Sequence, residues 1–152
     1  MKKGIIISTI ILIGMLSNCS KKRYPDLGNG YRFETVDGNS LAIVNFENTI
    51  IIGTEILDFA FDSTYILVSH RPWDVPNIAG LKDMTYNQRN EAFENSKFIQ
   101  YWIINKKENS IYNLDSMSQT AKYSNVYGPF QKEEYIKKCM DLGVPKILKI
   151  KE

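Results

Sequence analysis

With 152 residues, 19 basic and 17 acidic side chains and a formal charge of +2, the chain is sized for one domain and carries no global basic field. That balance excludes a polyanion such as nucleic acid as a partner recruited by bulk electrostatics. Two cysteines and one histidine are too few for a disulfide-stapled scaffold or a histidine-rich metal centre.

The N-terminus begins with Lys2 and Lys3, continues through an Ile-rich apolar run over residues 4–15, and reaches Leu16-Ser17-Asn18-Cys19. A basic segment, a short apolar segment and small residues before a cleavage point are the layout of an export signal. The run is shorter than the roughly 20 apolar residues a membrane-spanning helix needs. Residues 1–18 are therefore expected to be a signal peptide that is removed on export. Its removal would take away two lysines and no acid, leaving 17 charges of each sign.

Residues 19–26 are polar and end in Tyr24-Pro25-Asp26, which reads as a tether. Residues 27–152 are read as a single globular domain. Leu27-Gly28-Asn29-Gly30 opens it with turn residues that tolerate positive φ. Residues 31–36 alternate apolar and polar, the period of a half-buried strand, and Asp37-Gly38-Asn39 closes the strand with a turn. Residues 41–46 and 50–53 give two further strands. Residues 56–61 place Leu57, Phe59 and Phe61 on one face, and residues 65–70 return with β-branched and aromatic side chains, a hairpin pattern.

Residues 71–80 hold Pro72, Pro76 and Gly80 and are too broken for regular structure. Thr85 with Gln88 three residues on matches a capping box, so residues 86–94 are expected to be a short helix. Residues 98–104 form a strongly apolar strand, with residues 110–114 expected to return as its hairpin partner. Residues 115–124 are ambiguous between loop and helical turn. Gly128-Pro129 is expected to break the strand before a helix over 132–142, whose Tyr135, Ile136, Cys139, Met140 and Leu142 recur at helical spacing. Gly143 and Pro145 stop that helix, and Ile147, Leu148 and Ile150 suggest a charged edge strand. The fold class read from this order is α+β and mostly β: an antiparallel meander of about six to eight strands, curled or sandwiched, with a C-terminal helix on one face.

Chemistry is sparse. His70, beside Arg71 and Asp74, is the only histidine and could be imagined as a general base, but no Gly-x-Ser-x-Gly and no second histidine accompany it. An ordinary surface or packing role is its expected fate. Cys139 sits on an apolar helix face and reads as a small hydrophobe rather than a nucleophile. Asp58 and Asp62 could form half of a cation site, yet nothing nearby completes a calcium loop. No catalytic set, cofactor or metal is therefore expected. Trp73 lies in the long loop that starts at Arg71, just after the strand end at His70, with Tyr86 following, and these four form the candidate partner contact. The alternative for Trp73 is that it folds back over an open end of the sheet.

Three runs carry a resemblance: DFAFDSTYILV at 58–68, YWIINKK at 101–107 and VYGPFQKEEY at 126–135. Together with Leu16-Ser17-Asn18-Cys19, which reads as a lipobox, they resemble an uncharacterised family of small bacterial lipoproteins over roughly residues 24–145. That family combines a lipobox, a β hairpin, a Tyr-Tyr-Ile-Ile-Asp-Lys strand and a Gly-Pro-Leu-Ser-Lys-Glu-Glu segment leading into a terminal helix. Gln131 stands where a capping Ser or Thr is usual, so fraying is expected there. The resemblance implies that Cys19 is lipidated and that the protein sits in the cell envelope, anchored to a bacterial membrane, with Ser20 matching an outer-membrane sorting signal facing the periplasm in some Gram-negative cells. Acylation would also leave Cys139 without a disulfide partner. On this footing the expected function is a non-enzymatic envelope accessory or binding protein with an envelope protein as partner. The alternatives are an immunity or inhibitor lipoprotein acting on a toxin or cell-wall enzyme, and a hydrolase using His70.

Overall fold

The computed structural model describes residues 24–36, 40–53, 55–72, 80, 83–114 and 121–150. The expected signal peptide with Cys19, the turn at 37–39, and Trp73 with Asp74 lie outside the described residues. In chain order the elements are β1 (Arg32–Val36), β2 (Ser40–Val44), β3 (Ile50–Ile52), β4 (Ile56–Phe61), β5 (Tyr65–His70), α1 (Tyr86–Glu94), β6 (Gln100–Asn105), β7 (Tyr112–Leu114), β8 (Ala121–Tyr123), β9 (Val126–Phe130) and α2 (Lys132–Asp141).

The strands form a three-stranded sheet in the order β1-β2-β3, a four-stranded sheet in the order β4-β5-β6-β9, and a separate β7-β8 hairpin. Every strand pair is antiparallel. The two larger sheets face each other, and α2 covers the far side of the four-stranded one, giving three layers of sheet, sheet and helix. The mostly-β α+β class with a C-terminal helix on one face is the observed class, in its sandwiched form.

β5 sits at the centre and all six of its residues are buried. Its alternation sends Ile66 and Val68 into the space between the sheets, where they meet Leu27, Phe33, Ile43, Ile52 and Ile104. Tyr65 and Leu67 face the other way and join Ile103 beneath α2. Strands buried on both faces need a continuous apolar run, and YILV supplies it.

Polar side chains tie the layers together. Asn125, only 1% exposed, donates through Nδ2 to the Tyr31 hydroxyl at 2.9 Å and to the Asn105 carbonyl at 3.1 Å, linking the start of the first sheet to the β6–β9 end of the second. The Lys106 ammonium donates to the carbonyls of Leu27 and Asp62 and lies over the Phe61 ring. Burial lowers its pKa, an effect that the nearby Asp62 and Asp26 carboxylates oppose.

Four local expectations are corrected. Residues 110–114 do not return to β6, because β5 and β9 already occupy both of its hydrogen-bonding edges; β7 pairs with β8 instead. Gly128-Pro129 does not break the strand. β9 runs through it with a cis peptide bond, on the sheet edge where a missing N–H is tolerated. Residues 147–150 form no strand; Leu148 and Ile150 pack beneath α2. A register shift between Ile56 and Asp58 reverses the alternation at the start of β4, so Ile56 joins Phe59 and Phe61 on the inner face while Leu57, 39% exposed, points outward.

Candidate functional site

α2 is fixed at both ends. Its start is closed by the Glu134 carboxylate, which accepts from the Gln131 N–H at 3.2 Å, so the helix begins at Lys132 without a capping Ser or Thr. Acidic Glu133 and Glu134 in the first turn and Lys138 in the last complement the helix dipole. Its end is a Schellman motif: Val144 N–H donates to the Cys139 carbonyl at 2.9 Å and Gly143 N–H to the Met140 carbonyl at 3.1 Å, with Gly143 at φ +68°. The Tyr65 hydroxyl donates to the Leu142 carbonyl and pins that end to β5. Tyr135 stacks on Tyr101 at 5.0 Å between centroids, and the Lys138 ammonium lies 4.4 Å from the centre of the Tyr127 ring. The Tyr127 hydroxyl in turn donates to Glu108, a bond that is the main reason its pKa is pushed up to about 12.

These ties seat α2 over β6 and β9, where its packing contacts lie. The β4–β5 side of the same sheet is left beside it, and the turn at Pro145 sends the chain round that side through Leu148 and Ile150. Between helix, tail and sheet runs a groove of about 890 Å³. Its floor includes Leu57, Asp58, Ser69 and Tyr101, its helix wall Tyr135, Ile136, Cys139 and Met140, and its rim carries Lys132, Lys146 and Lys149.

Burial dominates the polar groups of the helix wall. The Tyr135 hydroxyl is pushed far above the ordinary phenol range, mainly by burial and secondarily by its neighbour Cys139. Burial also raises the Cys139 thiol, against an opposing hydrogen bond from Tyr135. A thiol raised by an apolar setting is a poor source of thiolate. The cysteine is free and half-buried, as its place on the apolar helix face suggested.

Of the expected contact residues, the described ones are His70, Arg71 and Tyr86. His70 is buried at the end of β5 on the face opposite the groove, with Nε2 3.0 Å from the Gln100 Oε1 and its ring 6.0 Å from that of Trp102. Arg71 forms an ion pair with Glu55 at 3.4 Å, donates to the Glu94 carbonyl at 3.3 Å and covers the Phe93 ring, so it clasps the C-terminal end of α1. Tyr86 is the first residue of that helix and is 71% exposed. Eight residue steps separate Tyr86 from Glu94, or about 12 Å along the axis, so Arg71 and Tyr86 mark opposite ends of α1. The expected capping box is present, with Thr85 N–H donating to Gln88 Oε1 at 2.8 Å. Asp62 closes the β4–β5 turn by accepting from the N–H groups of Thr64 and Tyr65 at 2.6 and 2.7 Å, while Asp58 lines the groove. Among the described residues no cluster of three His, Cys, Asp or Glu side chains is placed to hold a metal ion, and no helix is long and apolar enough to cross a membrane.

The groove itself was not read from the sequence, although a signal for it exists. The helical apolar stripe counts Tyr135, Ile136, Cys139, Met140 and Leu142, but only Tyr135, Cys139 and Leu142 pack onto the sheet. Ile136 and Met140 are left 46% and 69% exposed. No curated protein and no solved structure shows significant similarity to the chain. A family model described as "Protein of unknown function (DUF3997)" matches residues 28–152, which span the whole sandwich and α2, and the chain belongs to that family.

Proposed function

We propose that the protein is a non-enzymatic binding protein of the bacterial cell envelope, held at a membrane through a lipidated Cys19 and presenting the groove beside α2 to its ligand. The anchor reading rests on Leu16-Ser17-Asn18-Cys19 after a basic and apolar leader. The observation that carries the binding reading is the groove: an apolar concavity with a lysine rim, bordered by a thiol and a phenol whose ionisation burial opposes. A concave, largely apolar site with a few polar groups suits capture rather than bond breaking. His70 belongs to the other face of the sheet and contributes nothing to this wall.

Two readouts test the two halves. Cells fed an alkyne fatty acid are expected to label the wild-type chain and not Cys19→Ser, with membrane association lost in parallel; label and association unchanged in the variant contradict the anchor. For the groove, Met140→Glu is expected to abolish recovery of envelope components crosslinked to the wild-type protein in intact cells. Equal recovery from the two proteins contradicts the site.

A further inference from the structure

We propose that the groove takes a long-chain fatty acid, its tail laid along the apolar wall of α2 and its carboxylate met by the lysines of the rim. The inference rests on the reading of this protein as a binding protein and names the ligand class.

Size comes first. About 890 Å³ lies within the roughly 300–1,000 Å³ typical of small-molecule sites. The lining is apolar and uncovered: Leu57 on the floor and Ile136 and Met140 on the helix wall are 39%, 46% and 69% exposed. Contiguous exposed apolar surface marks a place where something docks, and a methionine wall adapts to a flexible tail.

Charge complementarity selects the head group. The exposed Lys146 and Lys149 line the groove together with Lys132, and among the described residues that line it one carboxylate, Asp58, is present. This positive excess stands on a domain that is neutral once residues 1–18 are set aside. Lysine stems can lie along a hydrocarbon tail while their ammonium groups reach an anion at its end. The fold holds them there: the Schellman turn and the 2.9 Å Leu148 N–H to Pro145 carbonyl bond shape the tail, and half-buried Leu148 and Ile150 anchor it, which leaves Lys146 and Lys149 exposed on the rim. A bilayer surface cannot enter a concavity framed by helix, tail and sheet, so the shape favours a single molecule.

The test uses the full chain purified from its membrane and exchanged into amphipol, photolabelled with diazirine-bearing palmitic acid and mapped by peptide mass spectrometry. Adducts are expected within residues 132–150 and on Leu57, saturable by unlabelled palmitate and competed about tenfold less well by methyl palmitate, which lacks the charge. Lys146→Glu/Lys149→Glu, on an exposed stretch, is expected to weaken labelling about tenfold with an unchanged circular dichroism spectrum, and Met140→Glu to abolish it. Competition by the methyl ester equal to that by palmitate overturns the proposal. So do adducts outside the groove, or labelling matched by a diazirine phospholipid in vesicles, which would make this face a membrane contact. If palmitate fails while Met140-dependent crosslinks persist in cells, the ligand class falls and the binding-protein reading stands.

Discussion

The two faces of the four-stranded sheet are built from the same strands yet end differently. Toward the first sheet, Ile66, Val68 and Ile104 are fully buried, and the partly buried Phe59, Phe61 and Trp102 close around them. Toward α2, Leu67 and Ile103 are equally buried, but Leu57, Ile136 and Met140 stay exposed and a groove remains. Coverage explains the difference. Four strands spaced about 4.8 Å apart span roughly 14 Å between their axes, and on one side three strands lie against them, together with Leu27 and Tyr31 ahead of β1. One helix is about 10–12 Å across with its side chains, and here it sits over β6 and β9, so the β4–β5 side must be covered by the C-terminal tail or by something else. A face covered by a sheet becomes core; a face covered by a single helix retains a site.

Mutations can break this comparison. The largest effect is expected inside: Ile66→Ala removes a fully buried side chain from between the sheets and is expected to cost about 4 kcal/mol in urea unfolding. Next is Gly128→Ala on β9, where φ is +136° and an added Cβ would lie 2.7 Å from the Trp102 ring; a loss of about 3 kcal/mol is expected, also by urea unfolding. On the groove side the pattern should invert. Met140→Ser removes an exposed side chain and is expected to change stability by less than about 0.5 kcal/mol while lowering photolabelling. A loss of more than about 2 kcal/mol there would make the helix wall part of the core and remove the distinction.

The smallest effect concerns pH. Tyr127 is raised from 10.0 to about 12, chiefly by its hydrogen bond to Glu108. Because the folded pKa lies above the unfolded one, its contribution is fully present below pH 10 and is lost as pH climbs through 12. A phenolate absorbance titration should show one tyrosine ionising near 12, moving down in Glu108→Gln. Lys106 has the opposite sign. Burial lowers its pKa from 10.5, so its destabilising contribution in the charged form is relieved as pH rises toward 10.5.

Local signals carried much of the fold. The YILV run marked the central strand, Thr85 and Gln88 marked α1, and Gly143 marked the end of α2, because strand burial, capping and helix stops are set by neighbours in sequence. What local pattern could not supply was partner choice. Residues 110–114 look like a returning strand, but the far edge of β6 is taken by β9, and one extra residue at Leu57 turned that side chain to the opposite face. The candidate site was less legible still. Adjacency in sequence suggested His70, Arg71 and Tyr86 as a cluster, whereas the structure buries the first, ties the second to Glu55 and Glu94, and sets the third at the far end of α1. The groove depends on where α2 lands on the sheet, and only the surplus apolar positions Ile136 and Met140 announced it.

The central claim is that the helix side of the sandwich, and not its sheet side, meets other molecules. It is tested most directly by placing a photocrosslinking amino acid in living cells at position 140, on the groove wall, or at position 34, where Glu34 is exposed on β1. Adducts from position 140 and none from position 34 are the expected result; equal yields from both positions, or none from position 140, would contradict it.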